Sequence, residues 1–182
     1  MNTLDPERII AHTKKWIVDV VVGLNFCPFA AREVKRESIR FEVVPGDRAA
    51  VLSALAKAFD AMDADRAIET MFLLLPRGFG RFTDYLKLVD AAEALVKKSG
   101  HEGSYQVASF HPDYLFAGSR PTDAANYTNR SPYPMLHLLR EESVSRAVDS
   151  YPDTMQIPEK NTALARQKGL TYMQRLRAAC ME

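Results

Sequence analysis

The chain has 182 residues, 47% of them hydrophobic and 26% charged, with 24 Lys plus Arg against 23 Asp plus Glu. That length suits a single domain over residues 1–182 with a substantial core, and the even charge supplies no bulk field for nucleic acid or a membrane surface. The first residues lack a basic-then-apolar leader, no apolar run is long enough to span a bilayer, and Cys27 and Cys180 form no CxxC pair, so the expected setting is the cytoplasm with both thiols free.

Asp5-Pro6-Glu7 reads as a helix start, with a capping oxygen, a proline in the first turn and an early carboxylate. Ile9, Trp16, Ile17, Val20 and Leu24 then recur at helical spacing, and Gly23 lies near the stop. Pro28 suits the first turn of a short second helix running to about Lys35, which puts Cys27 at its N-cap. Amides at a helix start stabilise a thiolate, so a lowered thiol pKa is one reading of Cys27. A small buried hydrophobe between Phe26 and Phe29 is the other.

Ile39 to Val44 alternates as a strand does and stops at Pro45-Gly46. Asp47 caps a helix whose apolar stripe is Val51, Leu52, Leu55, Phe59 and Met62. Thr70 to Leu75 is continuously apolar, as a strand buried on both faces should be. After the turn from Pro76 to Arg81, Thr83 is placed to cap a helix with Tyr85, Leu88, Val89, Ala92, Leu95 and Val96 inward and Gly100 past its end. Ser104 to Phe110 is a third strand. Ser131-Pro132-Tyr133-Pro134 then opens a helix carrying Met135, Leu136, Leu139, Val144 and Val148. Tyr151-Pro152-Asp153 breaks it, and Ile157-Pro158-Glu159 starts a helical tail towards Cys180 with a bend at Gly169. The order β-α-β-α-β with short connections predicts an α/β fold: a small, mostly parallel sheet of at least three strands, flanked by helices, with helical N- and C-terminal extensions.

One stretch stands apart. Residues 111–133 show neither helical nor strand periodicity, yet Tyr114, Phe116, Tyr127 and Tyr133 make disorder a poor description. An ordered loop of that length is usually functional. This one gathers His111, Asp113, Arg120, Asp123, Asn126, Asn129, Arg130 and Ser131. In open parallel sheets ligands bind beyond the carboxyl ends of the strands, where Pro45 to Asp47, Arg77 to Arg81 and His111 onward all emerge. A short helix feeding the first strand would bring Cys27 to the same edge. A helix opening near Ser131 would aim free amides there, beside Arg130.

Gly23-Leu24-Asn25-Phe26-Cys27-Pro28-Phe29-Ala30, residues 106–114 and residues 126–141 resemble an uncharacterised bacterial family catalogued as domain of unknown function number 1415. The resemblance covers nearly the whole chain; Phe26 departs from the leucine more usual there. It implies a cytoplasmic bacterial protein of one domain and brings no catalytic residue, cofactor or reaction.

Three functional readings follow from the residues. In the first, the chain handles a small anionic metabolite, as an enzyme or as a binding protein. His111 serves as general base, Cys27 as nucleophile and Asp113 as their neighbour. Arg130 with Asn129, Asn126 and Ser131, and Arg77 or Arg81, grip a carboxylate or phosphate. The competing view of His111 and Asp113 is a strand end followed by an Asp-stabilised turn. In the second, His111, Asp113, His137 and Glu141 form a mixed divalent-metal set, with His137 and Glu141 one helical turn apart. In the third, the tyrosines form a non-enzymatic interaction surface, unless they simply pin the loop down. No basic run, zinc-finger spacing or Gly-rich phosphate loop supports nucleic acid as a partner. Cofactor and oligomeric state are not specified by these residues.

Overall fold

Asp5 accepts a hydrogen bond from the Glu7 amide and Pro6 fills the first turn, so helix α1 (Pro6–Trp16) begins where the sequence expects it. The computed structural model describes residues 5–150 and 154–182. Beyond Trp16 the helix widens into a π-helical stretch, Ile17–Val22, ending at Gly23. A Cβ at Gly23 would collide with the Asp19 carbonyl oxygen, so this wide turn closes only on glycine. Helix α2 (Ala30–Arg36) is short and starts from Phe29, not from Cys27, which lies two residues earlier in the preceding turn. Glu37, in the left-handed region at φ 54°, turns the chain into β1.

The strands β1 (Ile39–Val43), β2 (Thr70–Leu74) and β3 (Tyr105–Phe110) form as predicted, and α3 (Arg48–Ala64) and α4 (Phe82–Lys98) fill the connections between them. Asp47 caps α3 by accepting from the Ala50 amide at 3.0 Å. Arg81, not Thr83, takes the N-cap position of α4 and gives no side-chain cap.

The main correction concerns residues 135–140. They form a fourth strand, β4 (Met135–Arg140), where the sequence suggests the start of a helix; helix α5 (Glu141–Ser150) follows with no turn between. The sheet order is β1-β2-β4-β3: β1 and β2 are parallel, and β4 is antiparallel to both β2 and β3. The sheet is therefore mixed, not mostly parallel. Since β4 reverses direction between them, β3 still runs the same way as β1 and β2. The predicted break at Tyr151 to Asp153 lies outside the described residues. Helix α6 (Ile157–Lys168) and helix α7 (Leu170–Ala179) form the tail, bent at Gly169 as expected, with φ 84°.

Cross-strand register sorts the side chains. Met71, Leu73, Leu136, Leu138 and Tyr105 point to the face covered by α3 and α4, where they pack with Val51, Leu55, Phe59, Leu88 and Ala92. Ile39, Phe41, Thr70, Phe72, Met135, His137, Ala108 and Phe110 share the opposite face. On that side the core includes Trp16 and Val20 from the N-terminal helix and Ala165, Met173 and Cys180 from the tail. Each fully buried large side chain contributes about 1.5–3 kcal/mol, so both layers are needed.

Candidate functional site

The convergence of loops at the carboxyl edge holds. Gly78, at φ 92°, lies so close to Gly46 that a Cβ would meet the Gly46 carbonyl oxygen at 2.6 Å, and His111 Nε2 donates to the Phe79 carbonyl at 2.8 Å. What gathers there is scaffold. His111 is fully buried against Phe82 and Tyr85, and its Nδ1 accepts from the Asp113 amide at 2.9 Å. With one ring nitrogen donating and the other accepting, the imidazole is neutral, and burial lowers its pKa despite the Phe79 carbonyl and Asp113. Asp113 itself is exposed.

The other loop residues are spent in the same way. Asn126, fully buried, accepts from the Phe116 amide and the Ser119 hydroxyl, both at 3.1 Å, and donates to the Arg120 carbonyl at 2.9 Å. Asn129 donates to the Ser109 carbonyl and Ser131 to the Tyr133 carbonyl. Arg130 donates to the carbonyls of Tyr114 and Pro121 while its guanidinium lies 4.9 Å from the centre of the Tyr127 ring. Asp123 caps the 3-10 turn Ala124–Thr128 and pairs with Arg166 of α6 at 2.8 Å. Arg81 pairs with Asp84, and Arg77 is exposed. No helix opens near Ser131, so the amides expected to hold an anion beside Arg130 are absent from that position.

Cys27 lies elsewhere. Seven residues of helix span about 10 Å at 1.5 Å each, while five of strand span about 16 Å, so α2 is too short to carry Cys27 back to the carboxyl edge. It lines a cavity of about 330 Å³ on the opposite face of the sheet from α3 and α4. Phe72, Ala108, Phe110, Leu139 and Ile39 form the floor, and Trp16, Ile17 and Val21 the roof, with Val144 and Ala147 of α5 closing one wall. The walls are mainly apolar. Polar groups are few: Thr70, His137, Gln106, Cys27, Ser143 and the charged Arg32, Glu33 and Glu69; Arg140 also borders the cavity, but its guanidinium is bound to carbonyls on the other side of the sheet. Cys27 and His111 therefore do not share a site; Arg130 stays beside His111, whose amide donates to the Asn129 carbonyl and whose carbonyl accepts from the Tyr114 amide next to Arg130's own bond to the Tyr114 carbonyl.

The cavity's electrostatics are those of a quiet pocket. Burial pushes the Cys27 thiol up, against the Phe29 and Ala30 amides that favour the thiolate. His137 stacks on Phe72 with ring centres 3.9 Å apart, and its Nε2 lies 2.6 Å from the Thr70 hydroxyl oxygen. Burial alone pushes its pKa down to about 3. Thr70 donates its own proton to the Leu138 carbonyl, so it accepts from His137, which fixes the Nε2–H tautomer. Glu33 loses solvent on burial, yet hydrogen bonds from Ser38 and Arg32 lower its pKa overall and keep it ionised.

The metal reading fails on geometry. His137 is a strand residue and Glu141 begins the next helix, so they never share a helical face, and His111 is committed elsewhere. Among the described residues no group of three or more His, Cys, Asp or Glu is placed to hold a metal ion. No helix among them is long and apolar enough to cross a membrane. His137, Thr70 and Gln106 as cavity residues escape sequence reading, because their meeting depends on β4 being a strand.

A family model described as "Protein of unknown function (DUF1415)" matches residues 8–175. No curated protein and no solved structure matches the chain.

Proposed function

The chain belongs to the DUF1415 family, and since that membership carries no activity, we propose from the site that it is a binding protein for a small, largely apolar molecule held in the cavity between the sheet and α1, α2 and α5. The observation that carries this is the cavity itself, about 330 Å³ and walled mainly by apolar side chains with a few polar groups. That is the composition of a ligand pocket. Reversible binding fits better than nucleophilic catalysis: the thiol of Cys27 is held protonated, and His137 is too weak a base to take its proton. A small anion at the loop of residues 111–133 has less support, since Asn126, Asn129, Arg130 and Ser131 all donate to backbone carbonyls of the loop and of the strand before it. A cytoplasmic setting belongs to the same proposal and rests on two unpaired cysteines.

The test is a thermal-shift screen of apolar and anionic small molecules. A ligand at a hundred times its dissociation constant adds about 2.7 kcal/mol, a rise of roughly 5–10 °C for a chain of this size. Ala108 lies on the cavity floor, so Ala108→Phe should abolish the response to apolar ligands while leaving the protein folded. A response to anions alone, unchanged by Ala108→Phe and lost in loop variants, would return the site to the loop.

A further inference from the structure

Among the polar groups that line the cavity, His137 has a free ring nitrogen whose position and hydrogen-bonding role are both fixed. Because Thr70 accepts from His137 Nε2–H, the Nδ1 lone pair is left without a protein partner among the described residues. It is not sealed in: among the described residues, the buried side-chain nitrogens lacking partners are Trp16 Nε1 and Arg177 Nε, not His137 Nδ1. The ring is clamped on Phe72 and cannot turn over without losing its bond to Thr70. His137 is thus a fixed acceptor on an apolar wall and open to the cavity, and a ligand that excludes water from it without donating a hydrogen bond leaves it unpaired at a cost.

Resting on the cavity reading above, we propose that the ligand is an uncharged, mainly apolar molecule carrying a hydroxyl, whose O–H donates to Nδ1 of His137. A carboxylate has no proton to give to Nδ1, and the charged pair that lines the cavity, Glu33 with Arg32 at 2.6 Å, is already matched and leaves it no unpaired cation there. A pure hydrocarbon leaves Nδ1 unpaired. The volume sets the size: a dry cavity of about 150 Å³ already accepts benzene, so roughly twice that takes a ring with a short chain.

The probes are 4-butylphenol, 4-butylanisole and 4-butylbenzoate, titrated into the full chain. Trp16 is the only tryptophan and lines the cavity, so its indole N–H resonance reports occupancy directly. In the wild-type protein the phenol should move both Trp16 and the His137 Nδ1 nitrogen resonance, which hydrogen bonding shifts; the anisole should move Trp16 only. The benzoate should bind at least tenfold more weakly. His137→Phe keeps the stack and deletes the acceptor, so the phenol-to-anisole affinity ratio should fall about tenfold. If that variant fails to fold, the wild-type nitrogen shifts decide. A phenol that moves Trp16 but leaves Nδ1 untouched, or an Nδ1 already protonated, overturns the hydroxyl inference and leaves the cavity reading standing. If no probe moves Trp16, both fall.

Discussion

Arg130 donates to the Tyr114 and Pro121 carbonyls and lies over Tyr127, whose ring also faces Arg177 at 5.4 Å. Its charge is used to order the loop. The residue types that suggest a binding site, His111, Asn126, Asn129, Arg130 and Ser131, are also those best able to satisfy backbone groups in a long segment without secondary structure. A sequence gives the inventory of donors and acceptors; it does not say whether they are spent internally. The aromatic residues were the more informative signal, because Tyr127 is buried and Tyr114 packs against both Phe82 and Phe116. Arg130→Ala should therefore lower stability by about 1–3 kcal/mol, through two carbonyls losing a charged donor, with urea unfolding as the measurement. Arg130→Lys should recover only part, because an ammonium cannot reach both carbonyls with a planar fork. Unchanged stability together with lost anion binding would show that the arginine is free to serve a ligand.

At the scale of elements, α1, α3, α4 and the first three strands were readable because their period, caps and turn residues agree. β4 was not. Met135, Leu136 and Leu139 sit at spacings a helix also produces, and a central strand buried on both faces leaves no alternation to separate the two. The absence of a turn residue before α5 fused two elements into one apparent helix. Arg140 ends β4 on the α3 side of the sheet and ties the pieces together. It donates to the carbonyls of Met62, Asp65 and Ile68 and to the Tyr105 hydroxyl, which in turn bonds Asp63. Those carbonyls include orphans from the C-terminal end of α3, where a cation also suits the helix dipole. Arg140→Ala should cost more than about 2 kcal/mol, since each buried acceptor left unpaired costs about 1–3 kcal/mol. Chemical denaturation followed by circular dichroism measures it. A loss no larger than that of an exposed arginine such as Arg48 would mean the carbonyls find water instead.

Across the whole molecule, the shared direction of β1, β2 and β3 placed three loops at one edge, as the order of elements implied. The cavity arises otherwise, from the N-terminal helix, α2 and α5 covering one face of a sheet whose centre is β4, and no local pattern encodes that assembly. In different parts of the fold, three histidines have depressed pKa values. His12 is lowered by burial and by Arg8, with its Nδ1 at 2.7 Å from the Tyr133 hydroxyl; His111 is lowered by burial, and His137 by burial to about 3. A histidine whose folded pKa lies below its unfolded value of about 6.5 binds its proton more readily in the unfolded chain. Its contribution is thus full above pH 6.5 and drains as pH falls towards the folded value. For His137 alone the loss approaches 1.4 kcal/mol per pH unit, about 2 kcal/mol by pH 5. Glu33, Asp63 and Asp123 have lowered pKa values and lose their contributions only below about pH 4.5, which keeps the two windows apart. Urea midpoints taken at half-unit steps from pH 7.5 to 5 should decline below pH 6.5. In His137→Phe the decline should be shallower by about one proton's worth of slope, whatever the variant's stability at pH 7.5. An equal slope in variant and wild type would mean that His137 takes up its proton in the folded protein, and that the cavity around it admits water and charge.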